Sequence, residues 1–265
     1  MAKTPGVRRS TIAYQQFKDQ MESLWNFGVM ICYAVPTLKK NIKAVVEGVV
    51  NYSLPKNDLF AHDASSPEQI RKLAEDYKSR LTSYLWLSSF SFFEAFISGA
   101  IQEVIDFHGG ETEFIGSVEK RTREAIGKRH SPAIIKSRSR LSGEFAKFKT
   151  GRYKDHTAVL QRGGYTFPSD LLASFGVRML VSKAGELKAA EIPALLAEGL
   201  HFPFTEEMLT RYDAYRKIRN DIAHGKHTHH SLKEAFDLKK NLGELASQVD
   251  EHLIANFFVM EIFRS

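Results

Sequence analysis

Cysteine is nearly absent: 265 residues carry one, Cys32. A single thiol excludes an internal disulfide and fits a reducing cytoplasm. Without catalytic company nearby, Cys32 reads as a core thiol and not as a nucleophile. Long apolar runs are missing too. The best of them, LWNFGVMICYAV from Leu24 to Val35, is about half of what a bilayer-spanning helix needs, and Asn26 interrupts it. The N-terminal MAKTPGVRRS lacks the apolar stretch that follows a secretory n-region. Strand signals are scarce, GGYTFP being the nearest, and neither repeats nor low-complexity tracts occur.

Acidic residues are scarce in one window only. From Lys120 to Lys154 twelve lysines and arginines face just Glu124 and Glu144. That window carries +10 of a net +6, so the rest of the chain sums to about −4. Charge gathered in this way is the footprint of a polyanion-binding surface, as against a merely solvated helix face. The candidate RNA contacts are Lys120, Arg121, Arg123, Lys128, Arg129, Lys136, Arg138, Arg140, Lys147 and Lys149, with His227 further along. Aromatic residues are few there, which favours phosphate contact over base stacking.

What is abundant is helical periodicity. Ser66-Pro67-Glu68-Gln69 combines a capping serine, a proline at the first helical position and a glutamine at the third. From Ile70 apolar residues recur at three-to-four spacing as far as Phe107, and Gly109-Gly110 follows. The pattern predicts one long helix whose second half, apolar nearly all round, belongs at the centre of the fold. Further helices are predicted at Thr11–Val29, Pro36–Tyr52, Val118–Lys128, Pro132–Lys149 and Ser169–Ser182. Another opens at Thr205, and a last one runs from Ser231 to Phe258. The fold class is all-α. Leu54–Pro67 reads as a linker between an N-terminal helical extension (1–60) and the main domain (61–265), which contains the basic segment 120–154.

The helix opening at Thr205 has an inward stripe of Met208, Tyr212, Tyr215 and Ile222, and Arg219 falls on it. A guanidinium pointing inward needs a carboxylate, carbonyls or a bound anion. His224 precedes Gly225 and so occupies the last turn, where open carbonyls favour a positive charge. A histidine that moves a proton beside an arginine that holds negative charge suits phosphate-ester chemistry. Glu94 is a lone carboxylate in the apolar FSFFEAFISG. It is satisfied by Ser91 or Ser98, or it pairs with Arg219. His227, His229 and His230 read as solvated loop residues. A metal site with His224 lacks any supporting cysteine or acidic spacing, so no cofactor or metal is expected.

The segment RNDIAHG, with Arg219, Asn220, His224 and Gly225, resembles the signature of the HEPN superfamily. FFEAFISGAIQEVI looks like that family's first core helix, and Tyr165–Gly176 is similar to the middle of its RiboL-PSP (MAE_28990-like) branch. The resemblance spans roughly Pro67 to Phe258. It implies a metal-independent endoribonuclease that acts as a homodimer with its cleft at the interface, often a toxin or an antiviral-defence effector. It equally covers members that bind RNA or protein without cutting. Carried over by residue, Arg219 binds the scissile phosphate, His224 is general base or acid, Asn220 orients the phosphate or His224, and Glu94 orients Arg219. The implied partners are RNA and an antitoxin or defence-complex protein. Asp221 is expected to point outward, toward Lys217.

Overall fold

Thr11 starts the first helix. Its extended backbone and its hydroxyl, which accepts from the Tyr14 amide at 3.0 Å, form an N-cap. The computed structural model describes residues 10–49, 66–114, 116, 131–141, 159, 180–182, 187–226 and 230–258. Among them α1 spans Ile12–Val46, α2 Pro67–Leu73, α3 Tyr77–Phe107, α4 Pro132–Leu141, α5 Glu206–Ala223 and α6 Leu232–Asn256. Between α4 and α5, a short coil from Ala189 to Gly199 runs through 3₁₀, α and π turns. No strand occurs among the described residues, and the fold is an all-α bundle.

Two predicted boundaries shift. The two helices expected at Thr11–Val29 and Pro36–Tyr52 are one helix with Pro36 inside it. An internal proline costs about 3 kcal/mol, yet the buried side of α1 continues past it from Phe17 and Met21 to the fully buried Ile42. Burial on both sides of Pro36 outweighs one lost hydrogen bond. In the other direction, the helix expected to run unbroken from Pro67 to Phe107 is interrupted by a turn at Ala74–Asp76. α2 buries no residue, so nothing apolar holds it in line with α3. The capping box at Ser66 and Gln69 forms as expected.

α3 is the central element. Phe90, Phe93, Phe96, Ile97, Ile101 and Val104 are all at most 2 % exposed. It packs against α1 on one side and against α5 and α6 on others. It is also the one described helix long and apolar enough to cross a membrane, and half of its most apolar window is buried inside the protein. α6 lays the predicted stripe of Leu238, Leu242, Leu245, Val249 and Leu253 into the same core. A capping box opens it, with Ser231 and Glu234 exchanging hydrogen bonds.

The start of α1 is fastened by two carboxylates. The Thr11 amide and hydroxyl donate to Asp250 of α6 at 3.0 and 2.6 Å, and the Ile12 and Ala13 amides donate to Glu103 of α3 at 3.1 and 2.6 Å. Helix-start amides without an intrahelical partner thereby meet negative charge where the helix dipole favours it. Burial pushes the Asp250 carboxyl above its usual range, and the two Thr11 hydrogen bonds oppose that shift. Asp250→Ala should strand the buried Thr11 donors and cost about 1–3 kcal/mol, measured by urea denaturation. An unchanged midpoint would show that α1 is held by its apolar side alone.

Of the basic window, Lys136 is exposed on α4, and Arg138 and Arg140 lie on the same helix. Lys120, Arg121, Arg123, Lys128, Arg129, Lys147 and Lys149 lie outside the described residues, as do the predicted helix Val118–Lys128 and most of Ser169–Ser182.

Candidate active site

α5 begins at an N-cap, Thr205, with Glu206 and Glu207 in its first turn, and ends at His224, where Gly225 takes a left-handed φ of 71°. Within it Tyr212 is buried, and Met208, Tyr215, Ile218 and Ile222 pack partly buried against the core. Arg219 lies on this inner side, only 27 % exposed. Its Nη2 stands 3.4 Å from both carboxylate oxygens of Glu94 on α3, which is 21 % exposed. The sequence left Glu94 with either a serine or Arg219 as partner; the structure pairs it with Arg219.

The remaining donors of Arg219 are set by the same arrangement. Nη1 donates to the Asn220 side-chain oxygen at 3.2 Å. Nε is buried and meets no hydrogen-bond partner among the described residues. Burial pushes the Glu94 carboxyl upward, while Arg219 and the Ala189 amide, which donates to it, pull it down. Ala189 is held from its other end, because the Tyr212 hydroxyl donates to its carbonyl at 2.8 Å. Burial raises the Tyr212 phenol above its ordinary value, so it remains a donor well into the alkaline range. A chain of contacts thus runs Tyr212–Ala189–Glu94–Arg219–Asn220 and fixes the guanidinium from behind.

His224 lies elsewhere on α5. It is exposed at the helix end, with its amide donating to the Asn220 carbonyl at 2.9 Å. It lines an outer groove with Asp213, Arg216, Lys217, Asn220, Asp221 and Lys226. Arg219 lines a second groove with Glu94, Lys188, Ala189, Arg216 and Asn220. Within one chain the arginine and histidine of the motif therefore face adjoining grooves, and Arg216 and Asn220 form the ridge common to both. The grooves hold about 640 and 310 Å³, each within the range of sites that accept a small molecule or a nucleotide unit.

Asp221 differs from expectation. It pairs with Lys226 at 2.6 Å, while Lys217 acts only at longer range. The left-handed Gly225 turns the chain back, and the Lys226 amide donates to the Asp221 carbonyl at 2.9 Å, which brings the ammonium over the carboxylate. The hydrogen bond from the Lys226 ammonium holds the Asp221 carboxyl below its usual range. His230 also differs. Instead of lying in a solvated turn, it packs against buried Trp86 with the rings tilted by 34° and their centres 5.2 Å apart, and its Nδ1 is 3.5 Å from Glu234. His227 and His229 lie outside the described residues, among which no three His, Cys, Asp or Glu are grouped to hold a metal.

Two further groups at the site, Arg216 and Ala189, are not among the residues singled out above from the sequence. Arg216 stands one turn before Arg219, and that spacing was available; its guanidinium is tied to Asp213 at 3.0 Å. Ala189 acts through its backbone and carries no side-chain signal at all.

No curated protein and no solved structure matches the chain. The family model for the RiboL-PSP-HEPN domain does match, over residues 56–255, a span that contains Glu94, Ala189, Arg219, Asn220 and His224 but not α1. HEPN domains form a family of nucleases and RNA-binding proteins, and this chain belongs to it as a RiboL-PSP-HEPN protein.

Proposed function

We propose that the protein is a metal-independent endoribonuclease that cleaves RNA by attack of a ribose 2′-hydroxyl on the neighbouring phosphorus. The observation that carries the reading is the guanidinium of Arg219, half-buried and braced by Glu94 and Asn220, one helical turn from an exposed histidine. A braced guanidinium needs little reorganisation when charge develops on the phosphorane. His224 takes the proton from the 2′-hydroxyl or delivers one to the departing 5′-oxygen. The P–O5′ bond breaks as the new P–O2′ bond forms, which leaves a 2′,3′-cyclic phosphate and a 5′-hydroxyl.

One motif supplies one imidazole, whereas the cleavage uses both a base and an acid. A second copy of the chain, presenting its own His224 to the same cleft, supplies the other. The active species is thus a homodimer with the active site at its interface. The basic segment 120–154 guides RNA by phosphate contact. Its biological setting is cytoplasmic, as a toxin held by an antitoxin or as an antiviral-defence effector. The alternative is a non-catalytic RNA- or protein-binding module, and the separation of Arg219 and His224 into adjoining grooves favours it.

Purified protein incubated with tRNA and mRNA in EDTA should yield fragments ending in cyclic phosphate. Absence of cleavage across a range of RNAs would remove the proposal in favour of the binding module. The pH profile gives a second check. Arg219 is braced only while Glu94 is ionised, and the Glu94 pKa is raised. As pH falls through that raised value Glu94 is protonated and the brace is lost, so activity should decline on the acid side. In Glu94→Gln the share of the decline set by Glu94 should vanish, leaving the limb set by the general base, and the plateau rate should be lower at every pH. An acid side unchanged in the variant would show that Glu94 contributes nothing to it.

A further inference from the structure

The longest uncharged part of α1, Ser23 to Leu38, presents apolar side chains outward as well as inward. Val29, Met30 and Tyr33 are 54, 55 and 75 % exposed. Val29 and Tyr33 border a groove of about 500 Å³ whose walls also include Trp25, Cys32, Leu81, Leu85 and Phe236. Phe236, itself 54 % exposed, meets the Trp25 ring edge-on at 5.8 Å. An apolar face of this kind on a helix otherwise built for the core calls for an occupant.

The charges flanking it indicate which one. Going along the outward side of α1 by steps of three and four, the exposed residues are Asp19, Glu22, Asn26, Met30, Tyr33, Thr37 and Lys40. Next to the apolar centre the acids Asp19 and Glu22 stand before it and Lys40 and Lys43 after it, with Lys18 beside Asp19 and with Glu47 paired to Lys43 at 3.6 Å at the far end. Glu22 and Lys40 are equidistant from position 31, as are Asp19 and Lys43, and Val29 and Tyr33. A two-fold axis through that position therefore sets Glu22 of each copy against Lys40 of the other. It also sets Asp19 against Lys43, and the protruding Tyr33 over the groove edge at Val29. A parallel arrangement would oppose acid to acid and lysine to lysine. The span from Glu22 to Lys40 is about 27 Å at 1.5 Å per residue, long enough for a continuous helix–helix seam.

We propose that this face of α1 is a homotypic interface in which two copies of the chain pair antiparallel through α1, with Tyr33 of each seated in the other's groove. It is separate from the motif-bearing helix α5, and α1 itself lies outside the span shared with the family, although the groove walls at Leu81, Leu85 and Phe236 lie within it. It stands whether or not the protein cuts RNA.

The test is the mass of the full-length protein by sedimentation and light scattering. Wild type should self-associate, and Tyr33→Asp should halve the mass of the assembly while its far-UV circular dichroism shows the helices intact. Glu22→Lys and Lys40→Glu alone should each weaken association about tenfold, since symmetry counts every contact twice. Combined, the two changes restore opposite charges and should return association to near the wild-type level. A wild type that is monomeric at its highest soluble concentration overturns the proposal, as does an assembly indifferent to Tyr33→Asp. A double swap no better than the singles does so too. A monomer that instead binds phospholipid vesicles through this face assigns the face to a membrane and equally overturns it.

Discussion

Arg219→Ala is expected to lower the rate of RNA cleavage by roughly 10²–10⁴-fold, with kcat and kcat/KM falling together. The guanidinium is the one positive group at the motif that the protein braces on several sides, by Glu94 through Nη2 and by Asn220 through Nη1. In the proposed cleavage its interaction strengthens as charge accumulates on phosphorus, so the loss should belong to the transition state more than to RNA binding. Arg219→Lys should rescue little. An ammonium is a point charge with no planar fork to reach a carboxylate, an amide and a phosphate together. His224→Ala should cost about 10²–10⁴-fold through the lost proton transfer, without the pairing defect that leaves Glu94 half-buried with the Ala189 amide but no cation. Rates of cyclic-phosphate formation under single-turnover conditions measure all three variants. Cleavage that survives both alanine substitutions would place the chemistry elsewhere.

The largest effect on stability is expected from Phe93→Ala, about 3–5 kcal/mol. Phe93 is fully buried next to Glu94 in sequence, and its ring meets Phe17 of α1, Phe96 of α3 and Tyr212 of α5 at 6.1–6.2 Å. Truncation leaves a cavity where three helices converge and loosens Tyr212, which holds Ala189 and thereby Glu94. Activity should therefore fall along with the midpoint of chemical denaturation. Tyr84→Ala, on the 66 % exposed outer side of the same helix, should stay within about 0.5 kcal/mol of wild type. Phe17→Ala is the informative companion. If α1 unfolds with the rest, it destabilises the single transition nearly as much as Phe93→Ala. A shift confined to a separate early transition would show that the N-terminal helix is an independent unit.

Much of the architecture was legible because helices announce their periodicity and their caps locally. Thr205 and Ser231 cap their helices where polar side chains precede apolar stripes, and the α6 stripe is buried as its spacing predicts. Local signals misjudged continuity. Pro36 looks like a boundary, yet Ile42 beyond it is buried. The run from Pro67 looks unbroken, yet α2, which lies against α1, buries no residue fully. In each case packing with residues distant in sequence decided, and a local pattern carries no trace of it.

The site divides in the same way. The sequence by itself determined that Arg219 points inward and that His224 ends the helix, because both follow from 3.6 residues per turn and the glycine at 225. It could not say which of two partners Glu94 takes, since residues 125 positions apart meet only when α3 and α5 pack. It could not reveal Ala189, whose contribution is an amide, or the packing of His230 against Trp86. Tertiary structure alone decided that Arg219 and His224 open onto adjoining grooves with Arg216 and Asn220 on the ridge between them. The physical reason is that helix geometry orients each side chain about its own axis. What stands opposite it depends on how the other helices settle against that axis.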